Sequence, residues 1–178
     1  MKIADLDFEP LIDYRSIQIK IKVMARQLNK EYENKLPMFV GVLNGCFLFM
    51  ADLVKEINIP CEVAFTKLSS YQGGITSTRR IRDDLDLTVD IEGRHIVLVE
   101  DIIDTGNTLD YLVAKLHQRK PASITVCAML LKPAAFEYEI KELKYVAFQI
   151  ENEFVVGYGL DYMEQGRNLK GIYRLRKK

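Results

Sequence analysis

Between residues 38 and 131 the apolar pattern changes period repeatedly, and this alternation constrains the fold more than any other feature of the chain. Residues 38–43 (MFVGVL), 61–68, 94–99 (RHIVLV) and 124–131 (ITVCAMLL) are short and nearly all apolar, which predicts four buried strands. Residues 47–57 (FLFMADLVKEI) and 108–118 read instead as helices set between them. Strands without polar positions have no solvent face. The expectation is therefore an α/β fold, a mainly parallel sheet flanked by helices. Ahead of it, residues 16–33 place Ile17, Ile21, Met24 and Leu28 on one face of an amphipathic helix that Ser16 is expected to cap. Beyond Leu131, short strands are expected at 145–150 and 154–156.

At 178 residues, 48% hydrophobic and 28% charged, the chain reads as one globular domain over 1–178, without repeats or linkers. Lys+Arg and Asp+Glu number 25 each, and zero net charge argues against nucleic acid as a partner. Two basic clusters, Arg79, Arg80 and Arg82, and Arg174, Arg176, Lys177 and Lys178, read as solvated. No apolar run approaches the roughly 18 residues of a membrane span, and the acidic start MKIADLDFEP lacks an export signal, so a cytoplasmic location is expected. Cys46, Cys61 and Cys127 are odd in number, lie in apolar runs and form no CxxC pair, which predicts buried reduced thiols and no zinc site. His95 and His117 fall in no motif.

Two segments stand apart. Residues 69–90, polar with paired Gly73 and Gly74, read equally well as mobile surface or as a functional lid. Residues 97–108, VLVEDIIDTGNT, form an apolar strand ending in two acids, followed by a turn and a helix. Ligands of open α/β sheets bind where such strands emerge. Gly106 admits a phosphate close to the backbone, Thr105 and Thr108 offer hydroxyls, and the helix start points N–H groups at an anion. Glu100 and Asp101 suit a vicinal diol, while Asp104 is free to handle a proton. A bare Asp-Thr-Gly would more often be only a turn and cap.

The whole segment, with its strand before and helix after, resembles the phosphoribosyl diphosphate signature of the type I phosphoribosyltransferases. Four further stretches, in the same order, narrow the resemblance to the hypoxanthine-guanine phosphoribosyltransferases, over about residues 39–167. They are VLNGCFLFMADL, SSY at 69–71, Lys132, and FVVGYGLDY at 154–162. The resemblance implies a parallel-sheet domain with a small base-binding hood made by the two chain ends, and a lid over about 69–90 in which Ser70 and Tyr71 close on the diphosphate. It implies that residues Glu100 to Thr108, Asn107 included, hold the phosphoribosyl group, and that Leu43, Asn44, Gly45 and Arg167 hold the diphosphate. Phe154 would stack on the purine, the Val155 backbone would meet its edge and Lys132 would read its 6-oxo group, with Asp161 in the same base-binding segment. Asp161, Glu100 and Asp101 would serve magnesium. Asp104 would be the general base in transfer of 5-phosphoribose from phosphoribosyl diphosphate to hypoxanthine or guanine, in a homo-dimer or homo-tetramer.

One departure stands out. Asn44 replaces the basic residue frequent in the family's diphosphate loop, which leaves that loop to its backbone donors. Plainer readings remain for single residues: a core Phe154, a surface Lys132, an ion-paired Arg167. The rival function is a phosphoribosyl-diphosphate-binding regulator without transferase activity.

Overall fold

The computed structural model describes residues 1–71 and 80–176, and for residues 69–71 and 80–83 the backbone alone. Its main layer is a six-stranded sheet of order β5-β4-β3-β6-β7-β8, built from β3 (Met38–Leu43), β4 (Glu62–Tyr71), β5 (Arg80–Leu85), β6 (His95–Ile103), β7 (Ser123–Leu131) and β8 (Leu143–Gln149). All neighbours are parallel except β5, which returns antiparallel to β4. The apolar middles of β6 and β7 now have their cause. Val97, Val99, Cys127 and Met129 face α1 (Tyr14–Glu31) and α2 (Phe47–Lys55), whereas Ile96, Leu98, Val126 and Ala128 face α3 (Asn107–His117) on the other side. Burying each such aliphatic side chain contributes about 1.5–3 kcal/mol, so neither face tolerates a polar residue without a partner. Thr125 is buried and has one, the Tyr32 hydroxyl at 2.7 Å.

A second, four-stranded antiparallel sheet has order β1-β2-β10-β9, from β1 (Lys2–Ile3), β2 (Leu6–Ile12), β9 (Val155–Val156) and β10 (Ile172–Leu175). Both ends of the described chain meet in it. Its strands are short, and β2 contains Pro10, so β1, β2 and β10 left no readable pattern.

Three expectations need correction. Asp13, not Ser16, caps α1: its carboxylate accepts the Ser16 backbone N–H at 3.0 Å and the Ser16 hydroxyl at 2.7 Å. A charged carboxylate there accepts the stronger hydrogen bond and meets the positive end of the helix dipole. The stretch 69–90 is not wholly irregular, because β4 runs on to Tyr71 and pairs with β5. Gly73, Gly74 and Arg79 lie outside the described residues, as do Lys177 and Lys178. Cys46 and Cys127 are buried free thiols, but Cys61 is only half-buried. His95 and His117 bond Ser123 and Glu142. Among the described residues no helix is long and apolar enough to cross a membrane.

Candidate active site

At the carboxyl ends of β3 and β6 a cleft of about 230 Å³ opens, lined by Leu43, Asn44 and Gly45 from one strand end and by residues 100–109 from the other. Nine residues of the twelve-residue segment, 100–108, thus line one cavity. Glu100 and Asp101 still belong to β6, and the chain then turns through Asp104, Thr105 and Gly106 into α3. Gly106 takes φ +88°, and a Cβ there would stand 2.5 Å from the Phe136 ring. Glycine is the residue that meets both demands. Gly106 offers no capping side chain and the Asn107 N–H makes only a long 3.5 Å bond to Thr105 Oγ1, which leaves the first turn of α3 with donors for an anion, and Thr105 and Thr108 line the cleft beside it.

The opposite lip is held by close backbone approach. The Leu43–Asn44 peptide is cis. A Cβ on Gly45 would lie 1.4 Å from Asp101 Oδ2, and one on Gly159 would lie 1.9 Å from the Gly45 carbonyl oxygen. Gly159, in the turn after β9, therefore brings the antiparallel sheet against the Leu43–Gly45 segment.

Two acids are packed where water is scarce. Glu100 is 8% exposed and its Oε2 has no hydrogen-bond partner among the described residues. Burial, and then the neighbouring Asp101, push its carboxyl well above the usual range. Burial likewise lifts Asp101 to about 6, against the pull of the Ile102 N–H, which donates to it at 2.7 Å. An orphaned buried carboxylate oxygen beside a second acid fits a hard divalent cation. Among the described residues no three acidic, His or Cys side chains gather into a closed metal cage. The fit is to magnesium sharing one or two carboxylates with substrate oxygens, the manner in which that ion usually binds.

The remaining residues lie outside the cleft lining, and Lys132 reaches it directly. Lys132, 7% exposed at the end of β7, donates to Asp104 Oδ2 at 3.0 Å. Arg167 is engaged within the hood: its guanidinium lies 2.7 Å from Asp161 Oδ1 and donates to the Gly159 carbonyl at 3.0 Å. Asp161 Oδ2 accepts the Glu164 N–H at 2.9 Å. Phe154 is 45% exposed, its ring edge-on to Tyr162 at 5.7 Å and tilted against Phe8 at 6.2 Å, while Val155 is buried in β9. A half-exposed ring carried on an apolar cluster is available for stacking, which a core phenylalanine is not. Ser70 and Tyr71 lie on β4, and their side chains are outside the described residues.

Sequence reasoning missed the supports of the site. Phe8 and Tyr162 carry Phe154, Phe136 and Tyr138 pack against Gly106, and Asp52 on α2 accepts the Tyr158 hydroxyl at 2.7 Å. No local pattern marks such residues, because their partners are distant in sequence.

The family model described as the phosphoribosyl transferase domain matches residues 11–163. The hypoxanthine phosphoribosyltransferase of Haemophilus influenzae is 44% identical over 162 residues, 89% of this chain and 90% of its own. For the hypoxanthine-guanine phosphoribosyltransferase of Streptococcus pneumoniae the identity is 46%, covering 91% and 89%. The crystal structure of a Staphylococcus aureus hypoxanthine phosphoribosyltransferase superposes with a TM-score of 0.89 at 40% identity, covering 97% of this chain and 92% of that one. With the parallel sheet, the hood and the loop after β6 alike accounted for, the chain belongs to the phosphoribosyltransferase domain family, among the hypoxanthine and hypoxanthine-guanine phosphoribosyltransferases.

Proposed function

We propose that this protein is a purine-salvage transferase that moves 5-phosphoribose from phosphoribosyl diphosphate to hypoxanthine or guanine, giving the nucleoside monophosphate and diphosphate. The observation that carries this reading is the Lys132–Asp104 pair, 3.0 Å apart at the edge of the phosphate loop. A 6-oxopurine presents an acceptor at O6 and, beside it on the same edge, an N–H at N7. Lys132 donates to O6, and Asp104 accepts the N7 proton as general base, which leaves N9 as the nucleophile toward C1 of the ribose. Adenine would set an amino donor against the ammonium, so the same pair repels the wrong base.

The other residues take roles that suit their positions. Thr105, Gly106, Asn107, Thr108 and the open start of α3 hold the 5′-phosphate. Glu100 and Asp101 hold the ribose hydroxyls, while Leu43, Asn44 and Gly45 present backbone donors to the diphosphate. Phe154 stacks on the purine and the Val155 backbone meets its edge. Arg167 both fixes Asp161 and faces the diphosphate. Magnesium, held through Asp161 and near Glu100 and Asp101, supplies charge neutralisation of the leaving diphosphate. Asp104 also faces the cationic charge that develops on the ribose as the C1–oxygen bond breaks. Ser70 and Tyr71, on the β4–β5 arm, close as a lid that keeps water from the ribose.

The whole chain works as one domain, with the hood formed from its ends, in the cytoplasm. It acts on small molecules, as a homo-dimer or homo-tetramer. Phe47 on α2 and Val63 and Phe65 on β4 are exposed apolar side chains that favour self-association, which sedimentation velocity would test.

The test of function is product formation from phosphoribosyl diphosphate and magnesium with hypoxanthine, guanine, xanthine or adenine in separate reactions. Magnesium-dependent nucleotide from a 6-oxopurine, with adenine inert, is the expected result. Binding of phosphoribosyl diphosphate without turnover of any base would move the reading to a regulator.

A further inference from the structure

Where β7 ends, the chain turns sharply, the backbone N–H groups of Ala135 and Phe136 both donating to the Lys132 carbonyl at 3.1 Å. The segment then runs along the phosphate loop. Glu137 N–H donates to the Thr105 carbonyl at 3.0 Å, and the rings of Phe136 and Tyr138 fill the space a side chain on Gly106 would need. At its end the Tyr138 hydroxyl donates to Asn107 Oδ1 at 2.9 Å, and both residues are half-buried.

We infer that Tyr138 is a positioning residue for the 5′-phosphate: it holds the Asn107 side-chain amide with its Nδ2 donors toward the phosphate. This rests on the reading that the Thr105–Thr108 loop holds that group. A primary amide has a donor end and an acceptor end of nearly equal size, and a phosphate monoester offers acceptors alone. An unrestrained Asn107 would offer its carbonyl as readily as its N–H groups, and the carbonyl end repels the anion. With Oδ1 occupied by the Tyr138 hydroxyl, the two Nδ2 hydrogens are the donors left at the start of α3, where the helix dipole already favours an anion. Asn107 carries no charge, so orientation is its whole means of attraction. The same segment begins at Lys132, so the lysine assigned to the purine and the brace assigned to the phosphate are only six residues apart in the chain.

The experiment compares wild type with Tyr138→Phe, which keeps the ring against Gly106 and removes the hydroxyl. Titration calorimetry with inosine 5′-monophosphate and steady-state kinetics are the readouts. The expected result is a loss of about two- to tenfold in nucleotide affinity and a similar rise in KM for phosphoribosyl diphosphate, the weight of one hydrogen bond. KM for hypoxanthine stays within about twofold by the same reasoning, since no hydroxyl is lost from the base side. In an Asn107→Lys background, where a cation needs no orienting, the Tyr138→Phe change has no further effect on nucleotide affinity. Unchanged affinity in Tyr138→Phe, an equal rise in both KM values, or the same loss in the Asn107→Lys background would each overturn the inference while leaving the function intact. Wild-type protein that neither binds inosine 5′-monophosphate nor forms nucleotide would overturn the reading beneath it as well.

Discussion

The two halves of the proposed site are built in opposite ways. The phosphoribosyl half comes from consecutive residues at the end of β6, a strand with parallel neighbours on both sides and buried side chains on both faces. The purine half is gathered from β2, the end of β7 and residues 154–175, and the hood's own core is three buried residues, Ile3, Phe8 and Val156. Among its polar ties, Arg174 bonds Glu153, whose side chain is largely buried, at 3.1 Å and reaches Glu9 at the surface at 2.8 Å. A surface pair of the latter kind contributes about 0–1 kcal/mol. One half therefore inherits the rigidity of the whole sheet, while the other rests on that small apolar cluster and on one layer of side chains, Val155, Tyr158, Leu160 and Ile172, that pack into the main core. Substitutions in the hood should appear in purine affinity before they appear in global stability.

Asp104 sits at the seam, contributed by the phosphate loop and bonded to Lys132. Asp104→Asn should lower turnover by about 10²–10⁴-fold, the usual weight of a general base, while phosphoribosyl diphosphate still binds. Pre-steady-state product formation beside a binding titration separates the two. Turnover at the wild-type rate would remove Asp104 from the chemistry.

Phe8→Ala attacks the weaker half alone. Truncating a buried phenylalanine costs about 3–5 kcal/mol, and here that loss is drawn from the hood cluster. Hydrogen exchange should quicken in β2, β9 and β10 with β6 and β7 unchanged, and KM should rise for hypoxanthine but not for phosphoribosyl diphosphate. Exchange quickening equally throughout would erase the distinction between the halves. Lys132→Ala is the next step down: losing a charged hydrogen bond, about 1.5–3 kcal/mol, should reduce the preference for hypoxanthine over adenine by roughly ten- to hundredfold. A competition assay with the wild-type ratio would take the 6-oxo contact away from Lys132.

The same contrast explains what could be read in advance. The strands at 38–43 and 124–131 and the segment 97–108 were legible because their information is local: apolar runs, a strand end, a glycine at a helix start. The stretch 154–162, proposed to bind the base, stood out through its resemblance, while β2, a strand of the same sheet, left no such signal. Residues 6–12 (LDFEPLI) mix charge and proline with apolar positions and pair with β10, more than 150 residues away in sequence. The Ser16 cap went astray for a related reason. Two capping side chains lay three residues apart, and only the fold shows which carboxylate or hydroxyl the first turn meets. An ion pair for Arg167 was among the readings, but its partner Asp161 was not legible, because left-handed residues at Met163, Glu164 and Gly166 shape the chain between them.

The smallest expected effect concerns the joint between the halves. Asp52 lies on α2, behind the diphosphate-loop segment, and its carboxylate accepts Tyr158 Oη at 2.7 Å and Gln18 Nε2 at 2.6 Å, with Lys55 2.6 Å away. Burial is the largest single influence on this carboxyl and raises its pKa. The bonds from Lys55, Tyr158 and Gln18 together outweigh it, and the group sits below its ordinary 3.8. A carboxyl lowered on folding stabilises the folded state above its unfolded value, and that contribution is lost as the pH falls through the folded value. Asp52→Asn keeps the shape and an acceptor for Tyr158 but does not titrate. Wild type should therefore exceed the variant by about 1 kcal/mol at neutral pH, the scale of one net hydrogen bond. The two should converge as the pH drops below about 4, where an ordinary aspartate takes up its proton. Urea midpoints measured across that range decide it: a constant gap would mean the ionised carboxylate is not what joins Tyr158 to α2, and a gap confined to neutral pH would make Asp52 the charged link by which the rigid half of the site steadies the other.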